Sequence, residues 1–179
     1  SSKMTTKIEL IGVLEAHADS IRLSNTLRVL ARATDLHALF NTVIDASSQN
    51  LVGFQKTLQL LADQPKLLHS VNQLYLTILS ATITETLDLT RDYCRSTDQT
   101  KILKAQPWFQ VFRICRNALN HNFLIEFTKE DRTMLPVEWN GVRIDASLEN
   151  RQLSLGVLPL DKAMEWLEEL EHFISTDLQ

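Results

Sequence analysis

Five polar residues recur at helical spacing in the segment 113–121. Arg113, Arg116, Asn117, Asn120 and His121 stand at i, i+3, i+4, i+7 and i+8, which predicts that they share one side of an α-helix. An imidazole titrates near neutral pH and can move protons, and a guanidinium binds a phosphate through two parallel hydrogen bonds without losing its charge. Together these groups suit cleavage of a phosphodiester bond. In RNA the nucleophile is the 2′-hydroxyl of the substrate, so this chemistry requires neither a metal nor a cofactor.

The charge distribution suggests where a polyanion would bind. The chain has 18 basic and 22 acidic residues, a net charge of −4, which by itself gives no reason to expect nucleic acid as a partner. Residues 99–125 nevertheless contain no Asp or Glu. We therefore expect RNA to bind along this stretch, with Lys104, Arg113 and Asn120 as contacts.

Other candidate sites are weaker. A second Arg-x4-His pair, Arg32 and His37, has Asp35 between its members, and this residue is expected to cap a helix and interrupt the pair. The remaining histidines lack metal-ligand spacing, and the glycines form no phosphate-binding loop. Cys94 and Cys115 lie in apolar settings, which favours reduced thiols and a cytoplasmic location. No metal site is predicted.

Long helices must position the polar residues. Four Gly and four Pro in 179 residues leave few interruptions, which favours a mainly α protein. Residues 66–95 are apolar nearly all round and predict a central buried helix. Pro107 fits the first turn of a helix that would run to about Ile125 and carry the polar side chains. A last helix is predicted at about 159–176.

A small antiparallel meander is predicted at about 134–157. The period-two runs Val137-Glu138-Trp139 and Val142-Arg143-Ile144 flank Asn140-Gly141. This dipeptide favours a type I′ hairpin turn because both central residues need positive φ. Residues 152–157 could add a third strand. We expect no membrane-spanning segment, no signal peptide, and one domain over residues 1–179.

Residues 116–121, with the sequence Arg-Asn-Ala-Leu-Asn-His, resemble the Arg-x4-6-His motif of the HEPN superfamily (higher eukaryotes and prokaryotes nucleotide-binding). The resemblance includes the polar residue directly after the arginine, and the recognisable core covers about 66–127. It implies a mainly α helical bundle, commonly dimeric, and a metal-independent ribonuclease acting as a toxin or in defence. It also implies that Arg116 and His121 are catalytic and that Asn117 helps to position them.

The implied function is an endoribonuclease whose Arg/His pairs meet at a homodimer interface, since two copies would supply two imidazoles for the two proton transfers. The resemblance also implies an antitoxin or regulatory protein as a possible partner. Phe123 stands where some HEPN members carry a tyrosine that their antitoxin modifies, so this form of regulation is in doubt. The alternative is a non-catalytic helical module that binds RNA, a nucleotide or a partner protein.

Overall fold

A computed structural model describes residues 6–46 and 54–179, and this part of the chain contains eight α-helices and one two-stranded sheet. The helices are α1 (Lys7–Ala33), α2 (Leu36–Ala46), α3 (Phe54–Ala62), α4 (Gln64–Ser96), α5 (Thr100–Lys104), α6 (Phe109–Asn120), α7 (Lys129–Met134) and α8 (Leu160–His172). The predicted mainly α fold with a small antiparallel sheet is confirmed. The last helix is also confirmed, because α8 continues as a π-helical turn, Phe173–Asp177.

The chain divides into two units by its internal contacts. One comprises the described residues up to Ala18 together with Ser80–Gln179, and the other is Asp19–Leu79. The division falls within α1 and α4, each of which is one continuous helix. The hypothesis of one domain over residues 1–179 stays a prediction.

The unit Asp19–Leu79 has its own apolar core. The core consists of Ala31, Leu36, Leu67 and Val71. Helix α2 begins where the sequence predicts, because the Ala38 N–H donates to the side chain of Asp35 over 3.0 Å and so satisfies one of the free amides at the helix start.

Helix α4 is buried along one side, whereas the sequence predicted burial nearly all round. Leu74 is 44% exposed, while Tyr75, Leu79 and Ile83 are buried. The buried side also carries three threonines, Thr82, Thr86 and Thr90. The hydroxyls of Thr86 and Thr90 donate to backbone carbonyls of α4 itself. Thr86 Oγ1 donates to the Thr82 carbonyl over 2.6 Å and Thr90 Oγ1 to the Thr86 carbonyl over 2.7 Å. These hydroxyls are therefore buried without a partner on another element.

An aromatic cluster fixes α6 within the larger unit. The ring of Phe112 stacks on Trp166 of α8 with centroids 4.3 Å apart, and it meets Trp139 edge-on at 5.3 Å. Trp108, just before α6, lies edge-on to Trp166 at 6.1 Å and to Phe173 at 5.7 Å. Because large aromatic rings bury the most apolar surface, this cluster holds the polar residues of α6 at a fixed position relative to α8 and the hairpin.

The hairpin forms as predicted, but the third strand does not. Strands β1 (Val137–Trp139) and β2 (Val142–Ile144) pair antiparallel, and Asn140 and Gly141 adopt φ values of 47° and 83°. After β2 a 3₁₀ turn, Ala146–Leu148, redirects the chain. Residues 150–153 then pair with 123–125, where the Ile125 N–H donates to the Arg151 carbonyl over 2.9 Å. The prediction of a strand at 152–157 is therefore wrong.

Candidate functional site

Helix α6 is shorter than the predicted helix from Pro107 to Ile125. It begins at Phe109 and ends at Asn120, so His121 caps the helix with φ −110° and ψ 48°. Asn122 and Phe123 follow with positive φ values of 53° and 65°. The helix stops here because residues 123–125 bond to 150–153, and that pairing requires backbone that has left the helix.

The imidazole of His121 is exposed to solvent. The backbone N–H of His121 donates to the carbonyls of Asn117 at 3.1 Å and Ala118 at 3.0 Å, which fixes the residue against the last turn of α6. Its ring makes no hydrogen bond with any residue in the ranges that the structure describes. The ring therefore keeps its hydrogen-bonding capacity for solvent or for a substrate.

The guanidinium of Arg116 is held on two sides. Nη2 donates to Oδ2 of Asp88 on α4 over 2.5 Å, and Nη1 donates to Oδ1 of Asn117 over 3.3 Å. Its Nε is buried without a partner, and the side chain is 24% exposed. Asn117 thus contacts Arg116, whereas the ring of His121 bonds to neither; the positioning role of Asn117 stays a prediction.

Arg113 connects two helices through an ion pair. Its side chain is 13% exposed and forms an ion pair with Asp131, which is 1% exposed. Nε of Arg113 also donates to Gln110 over 2.9 Å. Asp131 accepts a hydrogen bond from the Thr128 N–H over 2.8 Å and caps α7, so Arg113 ties α6 to the start of that helix.

The other two predicted RNA contacts, Asn120 and Lys104, are both exposed. Asn120 is exposed and accepts a weak hydrogen bond from Thr84 on α4, with an oxygen separation of 3.4 Å. Lys104 ends α5, is exposed, and forms no ion pair within the described part of the chain. The polar residues predicted to share one side of the helix therefore have different surroundings. Arg116 and Asn120 bond to α4, Arg113 bonds to α7, and His121 faces solvent.

Sequence reasoning missed Asp88. Its carboxylate lies 3.6 Å from Nη1 of Arg91 and 2.5 Å from Nη2 of Arg116, so one acid is shared by two arginines. The two partners Asp88 and Arg116 are 28 positions apart. The available signal was an acidic residue within the central helix predicted at 66–95, but spacing alone cannot pair residues on different helices.

The second Arg-x4-His pair lies in the unit Asp19–Leu79. Arg32 is near the end of α1 and His37 is in α2, and both line an open cleft of about 490 Å³. The ring of His37 contacts the Asn41 amide at 3.4 Å. The pair is therefore divided between two helices, as the capping role of Asp35 predicted.

The cysteines are unsuited to nucleophilic chemistry. Cys94 and Cys115 are free and fully buried. Burial raises the pKa of Cys94 to about 11 and that of Cys115 to about 12, so both stay protonated at neutral pH. Within residues 6–46 and 54–179, no group of three or more His, Cys, Asp and Glu is arranged to hold a metal ion.

Comparisons of the chain with protein-family models, curated proteins and solved structures found no match. None of the helices in the described ranges combines the length and the apolar character that crossing a bilayer requires. The contacts of Arg116, Asn117 and His121 are therefore the observations on which a functional proposal must rest.

Proposed function

We propose that the chain is a metal-independent endoribonuclease of the HEPN type, in which His121 transfers the proton, Arg116 binds the scissile phosphate and Asn117 positions Arg116. One observation carries the proposal. The exposed imidazole of His121 has no hydrogen-bond partner among the described residues. It follows, by five residues, a guanidinium that Asp88 and Asn117 hold in one orientation. A positioned cation and an unengaged acid–base group are the two functions that cleavage through the 2′-hydroxyl needs.

Arg116 keeps donors for a phosphate although it is ion-paired. A guanidinium has five N–H donors. One is used by Asp88 and one by Asn117, and the buried Nε–H has no partner. Each terminal nitrogen therefore retains one hydrogen, and these two suit the two oxygens of a phosphodiester.

The proposed active form is a homodimer. Cleavage requires removal of the 2′-hydroxyl proton and protonation of the 5′-oxygen that leaves. A single motif offers one imidazole for both transfers, while two copies related by a two-fold axis would offer two imidazoles and two guanidinium groups in one cleft. An antitoxin or other regulatory protein that covers this cleft is part of the same proposal.

A second candidate is a binding module without catalysis. It is favoured by the ion pairs of both arginines, because Arg113 is neutralised by Asp131 and Arg116 by Asp88. Such a module would use the same surface to hold RNA, a nucleotide or a partner protein.

The test compares RNA with an all-2′-deoxy oligonucleotide in the presence of chelator. We expect the protein to cut only RNA and to leave 2′,3′-cyclic phosphate ends. His121→Ala should reduce the rate by roughly 10²- to 10⁴-fold, the usual contribution of an acid–base group. Because the exposed imidazole makes no hydrogen bond with a described residue, this variant should fold normally. Arg116→Ala should also lose activity, with circular dichroism as the check on folding.

The chain supplies its own matched controls. His37→Ala and Arg32→Ala alter the second Arg-x4-His pair and should leave the cleavage rate unchanged. Three results oppose the proposal. Activity abolished by chelator indicates a metal-dependent hydrolase, RNA bound without products indicates the binding module, and equal loss in His37→Ala indicates a structural effect.

A further inference from the structure

A cleft of about 280 Å³ opens among α4, α5, α6 and α7 in the larger unit. Four cationic side chains line it, Arg91, Arg95, Lys104 and Arg113, and one acidic side chain, Glu130. We call this the basic cleft. Its other lining residues include Leu103 and Phe109, which are apolar and almost fully buried.

The charges of the basic cleft remain available to an anion. Lys104 forms no ion pair with a described residue. Arg95 pairs with Asp92 at 3.1 Å, but their side chains are 70% and 68% exposed. Exposed pairs of this kind contribute little to stability, so a phosphate can replace the carboxylate at small cost. Arg91 lies 3.6 Å from Asp88, and both of these side chains are partly exposed. Arg113 is committed to the fold, because its partner Asp131 is buried.

Asp88 connects the basic cleft to the proposed catalytic residues. Oδ1 of Asp88 lies 3.6 Å from Nη1 of Arg91, which lines the cleft. Oδ2 of Asp88 lies 2.5 Å from Nη2 of Arg116. A strand whose scissile phosphate is bound by Arg116 therefore has cationic groups within reach of its neighbouring phosphates.

The charge of the basic cleft indicates what it holds. Four cationic side chains and one acidic side chain line a volume of about 280 Å³, which favours an anion. A polyanion in extended form, bound through its backbone phosphates, matches this charge.

We propose that the basic cleft binds backbone phosphates of single-stranded RNA beside the scissile bond, through Arg91, Arg95 and Lys104. This inference rests on the proposed function, and it adds the path of the substrate. The contacts are to phosphate, so they strengthen binding without selecting a base sequence.

The experiment measures binding of a short fluorescein-labelled 2′-O-methyl RNA, which has no free 2′-hydroxyl and cannot be cut. Lys104→Ala and Arg95→Ala should each weaken binding roughly three-fold, and the double variant about ten-fold, with similar losses for unrelated sequences. The dependence of log K on log salt should become shallower by about 0.7 for each phosphate that the variant no longer neutralises. Lys101→Ala is the matched control, because Lys101 is exposed on the same short helix but does not line the cleft.

Equal weakening by Lys101→Ala, or unchanged binding in the double variant, would overturn the inference. Its failure can be separated from failure of the proposed function. If the double variant still cuts RNA and binds it with unchanged affinity, the role of the basic cleft is contradicted and the proposed nuclease function is not. If the protein cuts no RNA but the cleft variants lose affinity, the proposed nuclease function is contradicted. The basic cleft then remains an RNA-binding site.

Discussion

Asp88 determines how much positive charge the surface near Arg116 presents. It is shared by Arg91 and Arg116, so its carboxylate both orients a guanidinium and reduces the attraction that a phosphate would feel. These two effects act in opposite directions on RNA. The residue is therefore a sensitive place to separate binding from catalysis.

We predict that Asp88→Asn binds 2′-O-methyl RNA about three-fold more tightly, as expected for one carboxylate fewer near the strand. The same change should lower the single-turnover rate of RNA cutting by about ten-fold, because Arg116 loses the charged partner that fixes its orientation. Binding titrations and single-turnover kinetics measure the two effects independently.

Asp92→Asn is the control for this substitution. Asp92 pairs with Arg95 one helical turn away and does not contact Arg116. Its removal should increase affinity without slowing the reaction. Weaker binding by Asp88→Asn, or an equal loss of rate in both variants, would show that Asp88 does not orient the site.

Contacts between residues were predictable where the signal was local. The spacing of Arg116, Asn117 and His121 identified the candidate group, and the contact between Arg116 and Asn117 follows from their adjacency. The partners Asp88 and Asp131 were not predictable, since each lies on another helix. Arg113 consequently looked like an RNA contact in the sequence, whereas the structure pairs it with Asp131.

At the scale of elements, the ion pair between α6 and α7 is the most deeply buried one within the described ranges. Asp131 is 1% exposed and Arg113 13% exposed. Removing one member of a buried pair leaves the other charge uncompensated, which is much more costly than losing a pair at the surface. The connection of α6 to α7 should therefore depend strongly on Arg113.

We predict that Arg113→Ala lowers the free energy of unfolding by about 3 kcal/mol. Arg132→Ala provides the comparison, because Arg132 pairs with Glu149 with 55% and 28% of the two side chains exposed. That variant should lose about 0.5 kcal/mol. Urea denaturation measures both, and similar losses in the two variants would contradict the structural role given to Arg113.

Local patterns also explain which elements could be predicted. The hairpin depends on Asn140-Gly141, whose positive φ values are a property of the dipeptide, and the start of α2 depends on its own cap Asp35. The end of α6 depends instead on pairing between residues 123–125 and 150–153. No spacing within the helix reveals such a partner, so the predicted helix extended five residues too far, to Ile125.

For the whole molecule, the proposed mechanism sets a requirement on assembly. If two motifs must meet to supply both proton transfers, one chain alone is incomplete. The activity should then follow the concentration of dimer rather than the concentration of chains.

We predict that the cleavage rate per chain falls on dilution and reaches about half its maximum where half of the chains are dimeric. Light scattering over a concentration series measures the mass, and a continuous RNA assay at the same concentrations measures the rate. A rate per chain that stays constant while the mass falls to 20.5 kDa would exclude the two-copy site.

The threonines of α4 affect how freely neighbouring elements can evolve. Because Thr86 and Thr90 return their hydroxyls to carbonyls of their own helix, they present methyl groups sideways and demand no polar side chain from whatever packs there. Surrounding positions can therefore drift among apolar residues of similar volume without a compensating polar change. We expect either threonine to tolerate valine on the same reasoning, because the substitution removes a hydroxyl that bonds only within α4.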